Sequence, residues 1–270
     1  MSTKFGLIGG GVMGEALLSC LIARKIYQPS EVLVSEPQTS RQSFLEEKYG
    51  VAITGDNRLV FTPTTEVVFL AVKPQVFSAL AQELADVIVG DSKPLIISIL
   101  AGVTLSQLEA TFGQLPVIRA MPNTPATTGS GITAISPGAY TKASHHETAK
   151  QLFSAVGEVV EVSESLMDAV TGLSGSGPAY VALLVEALAD GGVAAGLPRA
   201  IANQLALQTV LGTAKLLHET KIHPAELKDR VTSPGGTTIA GIAQLEKAGF
   251  RSALIEAVKA ATARSQELGK

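Results

Sequence analysis

With 270 residues and a formal net charge of −3, the chain has the length of about two domains of roughly 100–200 residues each. The absence of tryptophan and of any basic cluster argues against a nucleic-acid surface. The single cysteine, Cys20, has no partner for an intrachain disulfide, which is typical of a protein of the reducing cytoplasm.

The first predicted unit is a strand, a glycine turn and a helix. Residues 4–8 form an apolar run, residues 9–14 supply G-x-G-x-x-G, and residues 15–24 have a helical pattern. The three glycines allow a tight turn, let the backbone approach a pyrophosphate and let helix and strand pack closely, while the helix N-terminus faces the phosphates. This context favours a dinucleotide site over a glycine-rich turn that binds nothing.

A second predicted strand, residues 31–35, ends at Glu36, about 20 residues past the last glycine of the turn. An acid at this distance usually accepts hydrogen bonds from the ribose hydroxyls of NAD. Glu36 therefore favours NADH and would repel the extra phosphate of NADPH. Ser35, Asn57 and Arg41 could still receive that phosphate, so the choice between NADPH and NADH stays open.

Apolar runs of strand length alternate with helical patterns up to about residue 162, as in a sheet covered on both faces. The further predicted strands are residues 51–53, 67–72, 95–100, 117–120, 132–135 and 159–162. Thr104 and Gln107 have the spacing of a capping box at a helix start. From Ser163 onward only helical patterns follow. The chain is therefore predicted to be α/β, with a dinucleotide-binding domain over residues 1–162 and an all-α domain over residues 163–270.

The helical half is unusually apolar. Residues 180–195 are apolar on nearly every side, and residues 200–217 continue in an alanine-rich style. A helix that is apolar all round must be buried all round, so we expect an intertwined dimer. The most apolar stretches, residues 95–103 and 181–189, are shorter than the ~20 residues of a membrane-spanning helix, and no membrane segment is expected.

Near the C-terminus, residues 233–238 (Ser-Pro-Gly-Gly-Thr-Thr) place a double-glycine turn before an apolar helical segment. Gly235 and Gly236 can adopt positive φ, so consecutive amides can converge on one anion, and the helix start adds donors and its positive dipole end. A small carboxylate would fit, with the Thr238 hydroxyl at its edge. The alternative is a plain helix start with threonine as the N-cap.

Three other motifs have competing interpretations. Val72-Lys73-Pro74 either ends a strand with a solvated lysine or lies in a ligand crevice at the strand's carboxyl end. The two prolines around Asn123 make either a rigid connection or a support from which Asn123 binds nicotinamide or substrate. The glycines around Ser176 are expected to permit close helix approach, and its neighbouring serines lack a base for a hydrolase.

The four histidines lack metal-ligand spacing, so no zinc site is expected.

Taken together, these motifs resemble the pyrroline-5-carboxylate reductases, the last enzymes of proline synthesis, over essentially the whole chain. The resemblance rests on residues 9–14, 71–74, 101–103, 119–125, 172–180 and 233–238. It implies a Rossmann domain followed by a helical dimerisation domain, with the active site between the nucleotide cleft and the partner's helices. That family commonly uses NADPH and often lacks an acid where this chain has Glu36.

The resemblance also implies residue roles. Ser233 and the glycine-loop amides would hold the carboxylate of pyrroline-5-carboxylate, and Thr238, as the catalytic residue, would contact the ring nitrogen. The expected substrate ligands are Ser233, Gly235, Gly236, Thr237, Thr238, Asn123 and Ser176. The expected cofactor ligands are Gly9, Gly11, Val12, Met13, Gly14, Ser35, Glu36, Asn57, Ala71, Val72, Lys73, Pro74 and Ala101. The expected assembly is a cytoplasmic homodimer or an oligomer of dimers.

Two other functions remain open at this point. A related reductase of a small keto acid or another cyclic imine would need an acid such as Lys215, Lys228 or His223 in the helical half. A nucleotide-sensing dimer would bind the cofactor without turnover.

Overall fold

The computed structural model describes residues 2–85 and 93–269. The chain forms two compact units. The first comprises Met1–Gly175 together with Ala260–Lys270, and the second comprises Ser176–Lys259.

The first unit is built on one sheet. Its strands in the described residues are β1 (Phe5–Ile8), β2 (Val32–Ser35), β3 (Ala52–Thr54), β4 (Val67–Leu70), β5 (Leu95–Ser98), β6 (Val117–Met121), β7 (Gly131–Pro137) and β8 (Gly157–Glu161). They lie in the order β3-β2-β1-β4-β5-β6-β7-β8, and all neighbours are parallel except β6 and β7. The predicted α/β class is confirmed.

Helices cover both faces of this sheet, which explains why its strands are continuous apolar runs. The helices of the first unit are α1 (Val12–Ala23), α2 (Thr39–Tyr49), α3 (Phe77–Leu84), α4 (Leu105–Phe112), α5 (Ala143–Ser154) and α6 (Met167–Val170). Along β4, Val67 and Phe69 belong to one buried cluster, and Val68 and Leu70 belong to the other. The predicted capping box is present at the start of α4, because the Thr104 N–H donates to Gln107 Oε1 at 2.8 Å.

The strand order fixes where a ligand can enter. Strand β1 lies between β2 and β4, so the connections leaving β1 and β4 diverge to opposite sides of the sheet. Crevices for ligands in open α/β sheets form at this switch point, outside the carboxyl ends of the strands. The predicted glycine turn follows β1, and residues 71–74 follow β4, so both lie at this edge.

The compact units differ from the predicted division at residues 162 and 163. The sheet does end at Glu161, but the next segment still packs with the sheet. Glu164 Oε1 accepts a hydrogen bond from Arg119 at 3.1 Å, and Asp168 accepts one from Ser265 Oγ at 2.7 Å. These contacts join residues far apart in sequence, and they place the end of the last helix with the first unit.

The second unit is helical. Its helices are α7 (Gly177–Ala194), α8 (Arg199–Thr220), α9 (Pro224–Arg230) and α10 (Thr237–Lys247), followed by α11 (Phe250–Leu268), which ends in the first unit. The buried hydrophobic residues among its described residues are Ala189, Ala202 and Ala206. By length and composition alone, the helical stretch Glu164–Ala194 would also pass as a membrane span, a test that apolar helices of soluble proteins pass as well.

Large apolar side chains of α7 and α8 remain exposed in the single chain. Leu183 is 65% exposed and Leu207 is 59% exposed. The others on these two helices are Val181, Leu188, Ile201, Leu205, Leu211 and Leu216. Covering one such side chain contributes about 1.5–3 kcal/mol, so this surface strongly favours association.

We predict that the folded protein has no stable monomer. Light scattering at micromolar concentration should give the mass of a dimer or of a multiple of dimers, and the melting temperature should rise with protein concentration. Leu183→Glu should dissociate or unfold the protein. Leu59→Glu, at an exposed leucine of the first unit, should leave the assembly unchanged. A stable, active monomer of the unaltered protein would contradict this prediction.

Candidate active site

The glycine turn between β1 and α1 has the backbone that a dinucleotide loop requires. Gly9 has φ of +101°, and a Cβ there would lie 2.7 Å from the Ala71 carbonyl oxygen. A Cβ on Gly14 would collide with the Gly9 carbonyl, whereas a Cβ on Gly11 would meet nothing within 4 Å. The first and third glycines are therefore needed for packing, and the open side of the second is where a pyrophosphate can approach.

The start of α1 is also suited to an anion. Its N-cap is Gly11, which has no side chain to cap the first amides, and the exposed Val12 and the neighbouring Met13 follow it. Amides at a helix start have no intrahelical partner, and the helix dipole favours negative charge there. The residues present therefore fit the pyrophosphate of a dinucleotide.

The neighbouring strands bring other predicted cofactor ligands to the same edge. The Ala71 N–H donates to the Ile8 carbonyl at 2.8 Å, which continues the pairing of β1 with β4 past their ends. Lys73 is exposed and precedes a short 3₁₀ turn, Pro74–Val76, and the half-buried Val72 lies just before it. Ala101, after the adjacent β5, is exposed as well. The placement of Lys73 is compatible with both interpretations, a solvated lysine and a crevice ligand.

Glu36 follows β2 as predicted but does not present a free carboxylate. The residue is 7% exposed. Its Oε2 accepts a hydrogen bond from the Gly10 N–H at 2.9 Å, and its Oε1 accepts one from the Gln38 N–H at 3.1 Å. The expectation that Glu36 reaches for ribose hydroxyls needs a carboxylate turned toward the crevice, whereas in this structure each carboxylate oxygen accepts a bond from a backbone N–H. A tertiary bond to Gly10, which the sequence does not reveal, determines where the side chain points.

The three residues expected to receive a phosphate are not equivalent. Ser35 Oγ donates to Asn57 Oδ1 at 2.7 Å, and Asn57 Nδ2 donates to Glu83 at 2.8 Å, so Ser35 and Asn57 do come together. Arg41 instead donates from Nε to the Gly10 carbonyl at 2.6 Å and forms an ion pair with Glu15. The guanidinium is therefore already engaged with the glycine turn and with α1.

The turn at residues 233–236 has the predicted shape in one of its two glycines. Gly235 has φ of +67°, and the Gly236 N–H donates to the Ser233 carbonyl at 3.1 Å, as in a type II turn. Gly236 itself has φ of −81° and is the N-cap of α10, without any side-chain cap. The alternative with threonine as the N-cap is therefore wrong.

The open amides of α10 follow from this cap. The first helical bond runs from the Ala240 N–H to the Gly236 carbonyl at 3.3 Å. The amides of Thr237, Thr238 and Ile239 come before it and have no intrahelical acceptor. A Cβ on Gly236 would collide with Ser233 Oγ, so the glycine leaves room for that hydroxyl over the turn.

Asn123 has a structural contact for each end of its side chain. Its Oδ1 accepts a hydrogen bond from the Ile132 N–H at 3.0 Å, and its Nδ2 donates to the Ser174 carbonyl at 3.2 Å. That carbonyl belongs to a π-helical turn, Thr171–Gly175, which Met121 approaches so closely that a Cβ on Gly175 would lie 2.8 Å from the methionine Cε. The structure favours the rigid-connection interpretation of Asn123.

The contacts of Ser176 and of the candidate acids of a keto-acid reductase do not assign a role to either. Ser176 is the N-cap of α7 and makes no side-chain cap bond. The candidate acids of a keto-acid reductase are engaged at the surface: Lys215 pairs with Glu219, Lys228 pairs with Asp229, and His223 Nδ1 accepts from the Ala225 N–H. In residues 2–85 and 93–269, no group of three or more His, Cys, Asp or Glu side chains could hold a metal.

Comparisons with known proteins agree over the whole chain. A family model for pyrroline-5-carboxylate reductase dimerisation matches residues 164–268, and a model for coenzyme F420-dependent NADP oxidoreductases matches residues 4–102. The chain is 60% identical to the pyrroline-5-carboxylate reductase of Synechocystis sp. over 270 residues, covering 100% of both chains. It is 40% identical to that of Escherichia coli over 271 residues, again covering 100% of both.

Solved structures give the same result. A pyrroline-5-carboxylate reductase from Coxiella burnetii superposes with a TM-score of 0.92 at 37% identity, covering 100% of both chains. The Plasmodium falciparum pyrroline carboxylate reductase, solved with NADP bound, superposes with a TM-score of 0.88 at 29% identity, covering 99% of this chain and 98% of that one.

We predict that Gly236→Val abolishes the binding of a proline-like carboxylate, because the new side chain would displace Ser233 and force the turn open. Affinity for NADPH should stay nearly unchanged, since the turn at residues 9–14 is a separate structure. Isothermal titration with L-proline and with NADPH would measure both. Gly241→Val, in the same helix where an added Cβ meets nothing within 4 Å, is the matched control. Normal carboxylate binding by Gly236→Val would mean that the turn is only a helix start and not the carboxylate site.

Proposed function

The chain belongs to the pyrroline-5-carboxylate reductase family, and we propose that its residues 233–238 bind the substrate of that family's reaction. The protein reduces 1-pyrroline-5-carboxylate to L-proline with NAD(P)H, the last step of proline synthesis. The observation that carries the proposed site is the type II turn at Gly235, which leads into three uncapped amides of α10 and the Thr238 hydroxyl.

On the cofactor side, the turn at residues 9–14 and the first amides of α1 would hold the pyrophosphate. Residues 71–74 and Ala101 would line the carboxyl edge of the sheet beside it. When bound, the reduced nicotinamide supplies the hydride that the imine carbon of the substrate accepts.

On the substrate side, the carboxylate would accept hydrogen bonds from the amides of Thr237, Thr238 and Ile239 and from the Ser233 hydroxyl. Bonds to a charged acceptor contribute about 1.5–3 kcal/mol each, and the dipole of α10 adds to them. Because the carboxylate is attached to the ring, fixing it also fixes which face of the imine is presented. Orientation of this kind can supply a large part of a rate enhancement.

Thr238 is assigned to the ring nitrogen. The reaction adds one hydride to the imine carbon and one proton to the nitrogen, so the site must orient the nitrogen and give it access to a proton. A threonine hydroxyl is a poor net acid, and its role is to orient the nitrogen and relay a proton from water. The residue is half-buried, one position past the start of α10.

We further propose that the assembly is a homodimer or an oligomer of dimers acting in the cytoplasm. The match to a dimerisation family over residues 164–268 and the exposed apolar side chains of α7 and α8 support association through the helical half. A second copy of the chain is the partner that this surface fits.

The reaction is tested by comparing substrates. Oxidation of NADPH and NADH should be supported by pyrroline-5-carboxylate at a kcat/KM about 100-fold or more above that for ketopantoate or hydroxyisobutyrate semialdehyde, because only the cyclic imine presents a carboxylate and a ring nitrogen at this spacing. Formation of L-proline would be followed directly. A protein that binds cofactor but turns over none of the three would be a nucleotide sensor instead.

We predict that Thr238→Ala lowers kcat more than it raises KM. A lost hydrogen bond of about 1–3 kcal/mol to the reacting centre corresponds to roughly a 10–100-fold decrease. Ser233→Ala should act mainly through KM, because its hydroxyl holds the carboxylate equally before and during hydride transfer. Thr238→Ser, which keeps the hydroxyl, is the control and should retain most of kcat. Full kcat in Thr238→Ala would remove Thr238 from the mechanism.

A further inference from the structure

The glycine turn after β1 is held from one side by the segment that runs from β2 into α2. The Gly9 N–H donates to the Ser35 carbonyl at 2.9 Å. The Gly10 N–H donates to Glu36 Oε2 at 2.9 Å, and the Gly10 carbonyl accepts from Arg41 Nε at 2.6 Å. The two peptide groups that flank the Gly10 Cα are therefore both fixed by charged side chains.

Glu36 is itself held in place. Its N–H donates to the Thr54 carbonyl at 3.0 Å, its carbonyl accepts from Gln42 Nε2 at 2.5 Å, and its second carboxylate oxygen accepts from the Gln38 N–H at 3.1 Å. With both carboxylate oxygens bonded and 7% of its surface exposed, the side chain is directed at the loop backbone and away from solvent.

Arg41 is anchored in the same way. Its guanidinium pairs with Glu15, in the first turn of α1, and Glu15 also accepts from Tyr49 at 2.7 Å and Lys48 at 3.0 Å. Burial opposes ionisation of Glu15, but the hydrogen bonds from Arg41, Tyr49 and Lys48 lower its pKa to about 2. The carboxylate is thus charged throughout the physiological range, and the pair that orients Arg41 persists there.

Glycine turns are costly to order, because glycine loses more conformational freedom than any other residue. A turn that is already fixed before the ligand arrives avoids that cost at the binding step. The fixed groups lie next to Gly11 and the open amides of α1, where a pyrophosphate would bind. NADPH and NADH share this pyrophosphate and differ only at the ribose.

We propose that Glu36 is a positioning residue of the dinucleotide loop, which holds the Gly10 peptide, and that it does not select between NADPH and NADH by contacting the ribose. Arg41 acts in the same way on the next peptide group. The inference rests on the proposed function only in requiring that the turn at residues 9–14 bind NAD(P)H. It assigns to an acid at the usual ribose-binding position a different task in this chain.

Glu36→Gln is the direct test, because it keeps the size of the side chain but replaces one acceptor oxygen by a donor that faces a backbone N–H. We expect the Kd for NADPH and the Kd for NADH, measured by titration without substrate, to rise by the same factor of about tenfold, so that their ratio is unchanged. The melting temperature without cofactor should change little, and the rise in melting temperature on adding either cofactor should shrink.

Two variants sharpen this test. Glu46→Gln makes the same charge change at an exposed site of α2 and should leave both Kd values unaltered. Arg41→Lys replaces the planar guanidinium by a single ammonium group, which cannot hold both the Gly10 carbonyl and Glu15 in the same geometry. It should weaken the binding of both cofactors alike. If Arg41 received the phosphate instead, only NADPH would weaken.

Three results would overturn the inference. Weaker NADH binding together with tighter NADPH binding in Glu36→Gln would make Glu36 a ribose ligand. Unchanged Kd values for both cofactors would show that the loop does not need Glu36 to hold the Gly10 peptide. Selective loss of NADPH binding in Arg41→Lys would make Arg41 a phosphate ligand. Because the cofactor titrations contain no substrate, they remain valid if pyrroline-5-carboxylate turns out not to be the substrate. If the protein binds both cofactors in the way that depends on Glu36 but does not turn over pyrroline-5-carboxylate, only the proposed function is refuted.

Discussion

Amides at the start of an α-helix need a partner from outside the helix, and at α1 and α10 the residue that would normally provide one is glycine. Gly11 and Gly236 occupy the N-cap positions of α1 and α10, and neither has a side chain to accept from the first amides. Both helices therefore begin with oriented donors and a positive dipole end. The reaction needs two anionic groups held in place, the cofactor's pyrophosphate and the substrate's carboxylate, and each has one helix start suited to it.

Each helix start is shaped by a different backbone device. At α1, Gly9 and Gly14 permit contacts that any Cβ would prevent, and Glu36 and Arg41 fix the peptides of Gly10. At α10, the positive φ of Gly235 closes a type II turn. The sheet supports the first site through adjacent strands that end at one edge. The helical unit buries so little of its own apolar surface that its stability depends on association.

Much of this could be predicted from the sequence because it is encoded locally. The strands were evident as apolar runs, the dinucleotide turn from its glycines between strand and helix, and the turn before α10 from Pro234 and Gly235. The rest depends on contacts distant in sequence. Glu36 has the spacing of a ribose ligand, but its direction is set by Gly10, and Asn123 could not be assigned until its bonds to Ile132 and Ser174 were located. The end of the last helix belongs to the first unit, where Ser265 bonds to Asp168.

Binding of the two anions at the uncapped starts of α1 and α10 can be followed by amide chemical shifts in ¹⁵N-labelled protein. Titration with L-proline should shift the amides of Thr237, Thr238 and Ile239 and leave those of Val12 and Met13 in place, whereas NADPH should shift Val12 and Met13. If proline binds but the amide shifts of Thr237, Thr238 and Ile239 stay unchanged, the start of α10 is not the carboxylate site.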